Sequence, residues 1–252
     1  MVDAETGVYT GTIRSPTGIA SDPALAGYGV SQSHELAAHL TTLDPPIDVF
    51  YSSPFYRCIQ TINPTLELIE TTNPASPKRS IRGDNGMGEW YGTARFDHPS
   101  PATPDVLNEL FPRYDLDYRP TIIPSVSGET IPELHDRTAY ALHRIIEKSD
   151  AEGAKAIIIC SHAATILAIG RALTGYLPKD IEEQDFRPFT CSLSKFVRKS
   201  KVPVETKVDL WEGHGKPAPK IDWRGGRGVA GGWTCEVNGD CSFLSGGEER
   251  GW

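Results

Sequence analysis

Ala156-Ile157-Ile158-Ile159-Cys160 is an uninterrupted apolar run that leads straight into Ser161-His162 and then a helical pattern from Ala163 to Leu173, closing near Gly175. A short run rich in β-branched residues, with no polar position to face water, suits a strand covered on both faces, as in a parallel sheet packed between helices. A second junction has the same build. Ile47-Asp48-Val49-Phe50-Tyr51 reads as a strand, and Ser52-Ser53-Pro54 opens a helix with Phe55, Cys58, Ile59, Ile62, Leu66 and Ile69 at helical spacing. Ser53 suits the N-cap and Pro54 the first helical position, while Pro64 is expected to kink or shorten the helix.

Further helices are expected from Tyr28 to Leu43 and after Gly128-Glu129-Thr130, where Ile131, Leu134, Thr138, Leu142 and Ile145 share a face. Phe189 to Val197 alternates as another strand. Strands separated by helices predict an α/β fold, a three-layer sandwich around a largely parallel sheet. The domain is expected to occupy residues 1–200. Within it, 71–127 is rich in Pro, Gly and Asp, with a short helical piece near Pro104 to Phe111. That stretch is too long for a simple connection and reads as a functional insertion over the site. Residues 201–252 read as a Gly-rich, loosely docked extension, in which Trp233 to Val237 and Cys241 to Leu244 form a small hairpin across Asn238-Gly239-Asp240. Residues 1–28 read mostly as loop, with Val8 to Ile13 the β-capable piece.

The 252 residues carry 25 Lys and Arg against 33 Asp and Glu, a formal charge of −8. A net acidic chain lacks the basic face that phosphate neutralisation demands, which argues against direct nucleic-acid binding and against an anionic membrane. Nine basic and four acidic residues between Lys195 and Arg227 reverse that sign locally. No stretch approaches the roughly 20 apolar residues of a membrane span, and the polar Met1 to Ala20 segment lacks the basic and apolar regions of a signal peptide. The five scattered cysteines suit reduced thiols. These features predict a soluble protein of the cytoplasm or nucleus. No Cys-x-x-Cys or His-Glu-x-x-His pair is present, and His98 and His214 sit in loops without partners at ligand spacing, so neither a metal nor a cofactor is expected.

Ligands of open α/β sheets bind beyond the carboxyl ends of the strands, where helix N-termini favour an anion. Arg57 lies on the first turn of one such helix and His162 at the start of another. Together they point to one pocket suited to phosphate or another small anion. Ser161 has no Gly-x-Ser-x-Gly elbow around it, and Cys160, ending an apolar strand, reads as buried rather than activated.

Asp22-Pro23-Ala24-Leu25 with Gly29 and Gln32, Ser52-Ser53-Pro54 with Arg57 and Gln60-Thr61, Gly128-Glu129-Thr130, and Ser161-His162-Ala163 follow one another in order. Over roughly residues 20–200 they resemble the motifs of the histidine phosphatase (phosphoglycerate-mutase-like) superfamily. Within it, Tyr51 to Thr61, Gly86 to Tyr91, Thr130 to Leu142 and the closing Val237 to Glu248 are similar to the fungal branch that contains the tau subunit of RNA polymerase III transcription factor TFIIIC. The resemblance implies a phosphoglycerate-mutase-like sandwich, with Arg57 holding phosphoryl oxygens and His162 donating to the transferring group. It implies Glu89 as the carboxyl that protonates the leaving oxygen. Ser53 receives no role beyond opening its helix, and Glu129 reads as a structural partner or cap. A phosphate or small anionic ligand, and a protein partner in a transcription assembly, are implied in the same way.

The family's catalysis is covalent, through a histidine in an Arg-His-Gly motif at the end of the first strand. That motif belongs N-terminal to Asp22-Pro23, yet the first histidine here is His34, inside a helical pattern. Two arrangements fit. In one, Val8 to Arg14 is the first strand, Arg14 keeps the motif's arginine as a substrate-binding residue, and Ser15 stands in for the histidine. In the other, which the short spacing from Arg14 to Asp22 favours, Asp3 to Pro16 belongs to the loop after a motif that these residues do not contain. Four functional readings follow. The chain is an anion-binding fold with little or no phosphatase turnover, or an active phosphomonoesterase whose catalytic N-terminus is missing here. Alternatively it is a noncatalytic scaffold subunit of a polymerase III factor assembly, or a pocket in which Glu89 and His162 perform acid–base chemistry on a non-phosphate substrate.

Overall fold

Side chains alternate across a strand, and one pair in β1 (Val49–Ser52) separates the two sides of the sheet. Phe50 packs with Leu36 and Leu40 of α1 (Gly27–Leu40), Ile59, Ile62 and Leu66 of α2 (Tyr56–Thr72), and Leu107 of α3 (Pro104–Leu110). Tyr51, its neighbour, packs with Leu142, Ile145 and Ile146 of α4 (Ile131–Ala151) and Ile169 and Leu173 of α5 (Ala163–Thr174). Helices therefore cover both faces of a central sheet, which is the three-layer α/β architecture expected from the sequence. The computed structural model describes residues 2–75, 77–204 and 206–250.

β1 is the middle strand of a parallel trio, between β2 (Ile81–Gly83) and β3 (Ile157–Cys160). Phe50 pairs with Ile81 on one side and Ile158 on the other. Residues 71–127, expected as an insertion over the site, thus also supply a strand to the sheet. The outer edge of β2 is covered, because the Ile81 amide donates to the Arg113 carbonyl and the Asp115 amide to the Ile81 carbonyl, at 2.8 and 2.9 Å. The outer edge of β3 has no strand beside it among the described residues. A second sheet consists of β4 (Leu193–Arg198) and β5 (Trp233–Asp240), antiparallel. The facing edges of β3 and β4 line a cavity of about 1380 Å³, walled by α1 residues such as Leu36 and Leu40 and by Ile166 and Ile169 of α5.

Several local expectations change. Val8 to Arg14 is not a strand; one isolated antiparallel bridge, Val2 to Tyr9, is the β-structure there. Ser53 is not the N-cap. Phe55 holds that position, the helix starts at Tyr56, and the Tyr56 amide donates to Asp22 Oδ2 at 2.8 Å. A carboxylate from a distant loop does the work of the cap. Pro64 neither ends nor shortens α2, which runs eight residues past it to Thr72; its face is held by Ile59, Ile62 and Leu66, all essentially inaccessible. Phe189 to Ser192 forms a turn, with Cys191 at φ 54, so β4 begins at Leu193. The start of α4 follows its sequence signal closely. Thr130 and Glu133 form a reciprocal capping box, and Pro132 occupies the first turn.

The extension from residue 201 is not a loosely docked appendage, and its hairpin does not form. β5 runs unbroken through Asn238-Gly239-Asp240 and pairs across the residue-200 boundary with β4, while Cys241 onward turns away. Trp223 and Val229 are completely buried in the α4/α5 core. Gly175, at φ +78, ends α5 in the left-handed region and gives the tail its approach, since a Cβ there would lie 2.5 Å from the Gly228 nitrogen.

Candidate functional site

The parallel register brings the carboxyl ends of β1 and β3 together, and the two strand–helix junctions meet there. Ser52 pairs with Cys160, and the Ser53 amide donates to the Cys160 carbonyl at 2.8 Å. One step further along each chain, Arg57 extends from the first turn of α2 and His162 stands at the N-cap of α5. The Arg57 Nη2 lies 3.0 Å from His162 Nδ1. Glu89 completes the group, its Oε2 lying 2.8 Å from Arg57 Nη2 and 3.1 Å from His162 Nδ1. The structure thus brings together three of the four residues expected at the site.

The fourth, Arg14, is not part of it. Arg14 is exposed in the N-terminal loop and joins none of the contacts linking Arg57, Glu89 and His162. Ser15 is no stand-in for a nucleophile either: its hydroxyl donates to the Asp22 carbonyl at 2.5 Å and serves the turn that positions Asp22. The reason is the missing strand pairing. Without a ladder to hold it in the sheet, the 8–14 segment follows the surface.

Glu89 is aimed by a buried scaffold. Asp84 accepts from the Gly86 amide at 2.8 Å, the Tyr118 hydroxyl at 2.6 Å and the Thr121 hydroxyl at 2.9 Å, fixing the turn over Asn85–Met87. Arg137 Nη1 donates to the Gly86 carbonyl at 2.8 Å while its Nε is held by both oxygens of Glu129 at 2.9 Å. Thr165 and Ser161 hydroxyls donate to the Gly88 and Met87 carbonyls, each at 2.7 Å. Glu129 is therefore the structural partner expected of it, acting through Arg137 on the loop that presents Glu89. Ser161 is committed to that loop rather than to nucleophilic chemistry.

Sequence reasoning missed three close neighbours of His162 and Arg57. Ser53 Oγ lies 2.7 Å from His162 Nε2, so Ser53 orients the imidazole instead of capping the helix. Cys58 Sγ lies 3.6 Å from the same nitrogen. Asp22, fully buried, reaches Arg57 Nη1 with Oδ1 at 3.2 Å while its other oxygen caps α2. Asp22 had a signal, because it heads a quoted motif, and Cys58 had its place beside Arg57; the direction of the Ser53 hydroxyl had none.

The charges follow from this packing. Burial alone favours the neutral form of each group. Burial pushes Glu89 upward, but the His162 hydrogen bond and the His162 and Arg57 charges outweigh it and bring the carboxyl down to about 2. Burial pushes His162 downward, and the Cys58 sulfur and Glu89 carboxylate outweigh it and lift the imidazole to about 9. At neutral pH the site is a carboxylate gripped by a guanidinium and an imidazolium. Glu89 therefore holds no proton to donate while Arg57 and His162 both claim it. Beside it lies a small open cleft of about 40 Å³, lined by Phe55, Tyr91, His98 and Pro101.

Comparisons with known proteins fit this geometry. The family model of the histidine phosphatase superfamily (branch 1) matches residues 10–209. The transcription factor tau 55 kDa subunit of Saccharomyces cerevisiae is 31% identical over 246 residues, covering 94% of this chain and 52% of that protein. The ecdysteroid-phosphate phosphatase of Drosophila melanogaster is 30% identical over 173 residues, covering 67% of this chain and 22% of that protein. The chain thus spans about half the length of the yeast relative and about a fifth of the fly one. In structure, the ecdysone phosphate phosphatase of Bombyx mori, solved in complex with tungstate, superposes with a TM-score of 0.53 at 24% identity, covering 67% of this chain and 62% of that one. That likeness concerns the fold. With the family model matched over most of its length, and with a relative 31% identical across 94% of it, the chain belongs to the histidine phosphatase superfamily.

Proposed function

We propose that the Arg57–Glu89–His162 site takes a phosphate-type anion, and that the 252 residues by themselves turn over phosphomonoesters little or not at all. The observation that carries this reading is the convergence of two cationic donors on one oxygen, Glu89 Oε2, at 2.8 and 3.1 Å. Glu89 occupies the place an anion would take. An entering phosphate would displace it from Arg57 and His162, which then stabilise charge on the phosphoryl oxygens. Next to a dianion, the freed carboxyl would rise from about 2 and regain a proton to give to a leaving oxygen. The attacking group is the part without a counterpart: no histidine precedes His34, and His34 lies on the exposed side of α1. In the test, phosphate or vanadate raises the melting temperature of the chain, Arg57→Ala abolishes the rise, and p-nitrophenyl phosphate is hydrolysed at background rate. An unchanged rise in Arg57→Ala refutes the site, and robust hydrolysis refutes the second clause.

A second reading rests on the sheet. The open edges of β3 and β4 and the cavity between them favour an active phosphomonoesterase whose nucleophile-bearing strand lies outside these residues. Fusing an upstream segment with an Arg-His-Gly strand should restore hydrolysis of p-nitrophenyl phosphate; a folded fusion without activity removes this reading.

The resemblance to the yeast subunit over 94% of this chain supports a third role, a nuclear subunit of a TFIIIC-type assembly. Co-purification with polymerase III factors tests it, and a tagged chain that elutes as a free monomer from native extract counts against it.

A further inference from the structure

Two cysteines flank His162, and the anion-binding reading gives neither a task. Cys58 is on the first turn of α2, its amide donating to the Phe55 carbonyl at 3.0 Å, and its sulfur lies 3.6 and 3.9 Å from the two ring nitrogens of His162. Cys160 is the last residue of β3, and its thiol donates to the Cys58 carbonyl at 3.4 Å. Neither thiol is in a disulfide. Their surroundings differ. Cys58 has a helix N-terminus, an imidazolium and the Arg57 guanidinium around it, all of which favour a thiolate. The Cys160 thiol hydrogen bond, followed by His162 and Arg57, hold Cys58 well below the usual thiol range. Cys160 is raised well above that range by its bond to Cys58 and by burial. Both line the cavity between β3 and β4, which gives a small oxidant a way in.

We propose that Cys58 and Cys160 form an oxidisable pair, in which hydrogen peroxide converts Cys58 to a sulfenic acid that Cys160 resolves to a disulfide. The Cys58 thiolate attacks one peroxide oxygen, the O–O bond breaks, and the departing hydroxide takes a proton from solvent to leave as water. Cys160 then gives up its proton and attacks the Cys58 sulfur, expelling a second hydroxide that leaves with that proton as water. One peroxide is reduced to two waters while two thiols become one disulfide. The disulfide removes the sulfur anion beside His162 and ties the first turn of α2, with Arg57 on it, to the end of β3. Altered anion binding after oxidation follows, a consequence that rests on the anion-site reading above; the pairing itself does not.

The test treats the intact chain with hydrogen peroxide, removes the excess, alkylates the remaining thiols and maps the peptides by mass spectrometry. A Cys58–Cys160 link, a fall from five free thiols to three and reversal by dithiothreitol are expected. Cys160→Ser should leave a dimedone-reactive sulfenic acid on Cys58, and Cys235→Ser should keep the link. A Cys58 that remains alkylatable, a Cys58 sulfinic acid beside a free Cys160, or a Cys191–Cys241 link in its place overturns the proposal. Should Cys160→Ser fail to fold, the wild-type map decides alone. Phosphate-induced thermal shifts before and after oxidation separate the two readings. No shift in the reduced chain sinks the anion site and leaves the disulfide map standing, whereas an equal shift in both forms sinks the coupling between them.

Discussion

Asp22 Oδ2 accepts the Tyr56 amide at 2.8 Å across 34 residues of sequence, so the helix that presents Arg57 is capped by the loop that leads into α1. The other oxygen of the same carboxylate holds Arg57 Nη1 at 3.2 Å. Asp22→Ala removes a cap and leaves the guanidinium short of a partner, and it should cost about 2 kcal/mol in urea unfolding. Asp22→Asn, which keeps an acceptor for the Tyr56 amide, should recover part of that loss. Equal losses in both variants would show that the charge, not the cap, is what matters.

Glu89 competes with a ligand for Arg57 and His162. Glu89→Gln should therefore tighten phosphate binding by about tenfold, the equivalent of ~1.4 kcal/mol, as read by titration calorimetry. Weaker binding in this variant would mean that the carboxyl contacts the anion instead of making way for it.

The ion pair also sets a pH dependence. His162 is raised to about 9, so its stabilising contribution is full below its ordinary value of about 6.5, declines as pH rises, and is gone above about 9. Glu89 is lowered to about 2, so its contribution is full above its ordinary value of about 4.3 and is lost as pH falls toward 2. Urea midpoints should drop between pH 6.5 and 9, and His162→Gln should flatten that slope. An unchanged slope in the variant would assign the alkaline loss to another group.

Trp223 has no exposed surface and lies in the core with Tyr140 and Leu173. Trp223→Ala should cost about 3–5 kcal/mol, a loss read from chemical denaturation and accompanied by faster proteolysis between residues 206 and 228. A loss below 1 kcal/mol would mean that the tail only rests on α4.

Much of this was legible from local pattern. The triple isoleucine of β3 and the Thr130–Glu133 box of α4 carry their structure in adjacent residues, because apolar periodicity and capping act over one or two turns. Arg57 and His162 were legible because strand–helix junctions are brought together by a parallel register, and Glu89 through the family resemblance alone. What stayed hidden depends on distant partners. Asp22 displaced Ser53 as the cap of α2, Ser53 turned to His162, and β5 ran through Asn238-Gly239 because β4 pairs with it on both sides of that step, across a bulge between Leu193 and Lys195. Pro64 was tolerated because the packing of Ile59, Ile62 and Leu66 outweighs one lost hydrogen bond.

The unpaired edge of β3 has a practical cost. Ile157 and Ile159, whose backbone groups alternate away from β1, present amides and carbonyls to any extended chain that approaches, and natural sheets shield such rims with lysine, proline or a covering loop. β2 has its cover in Arg113–Asp115, and β3 has none among the described residues. In concentrated solution this polypeptide should self-associate through that rim.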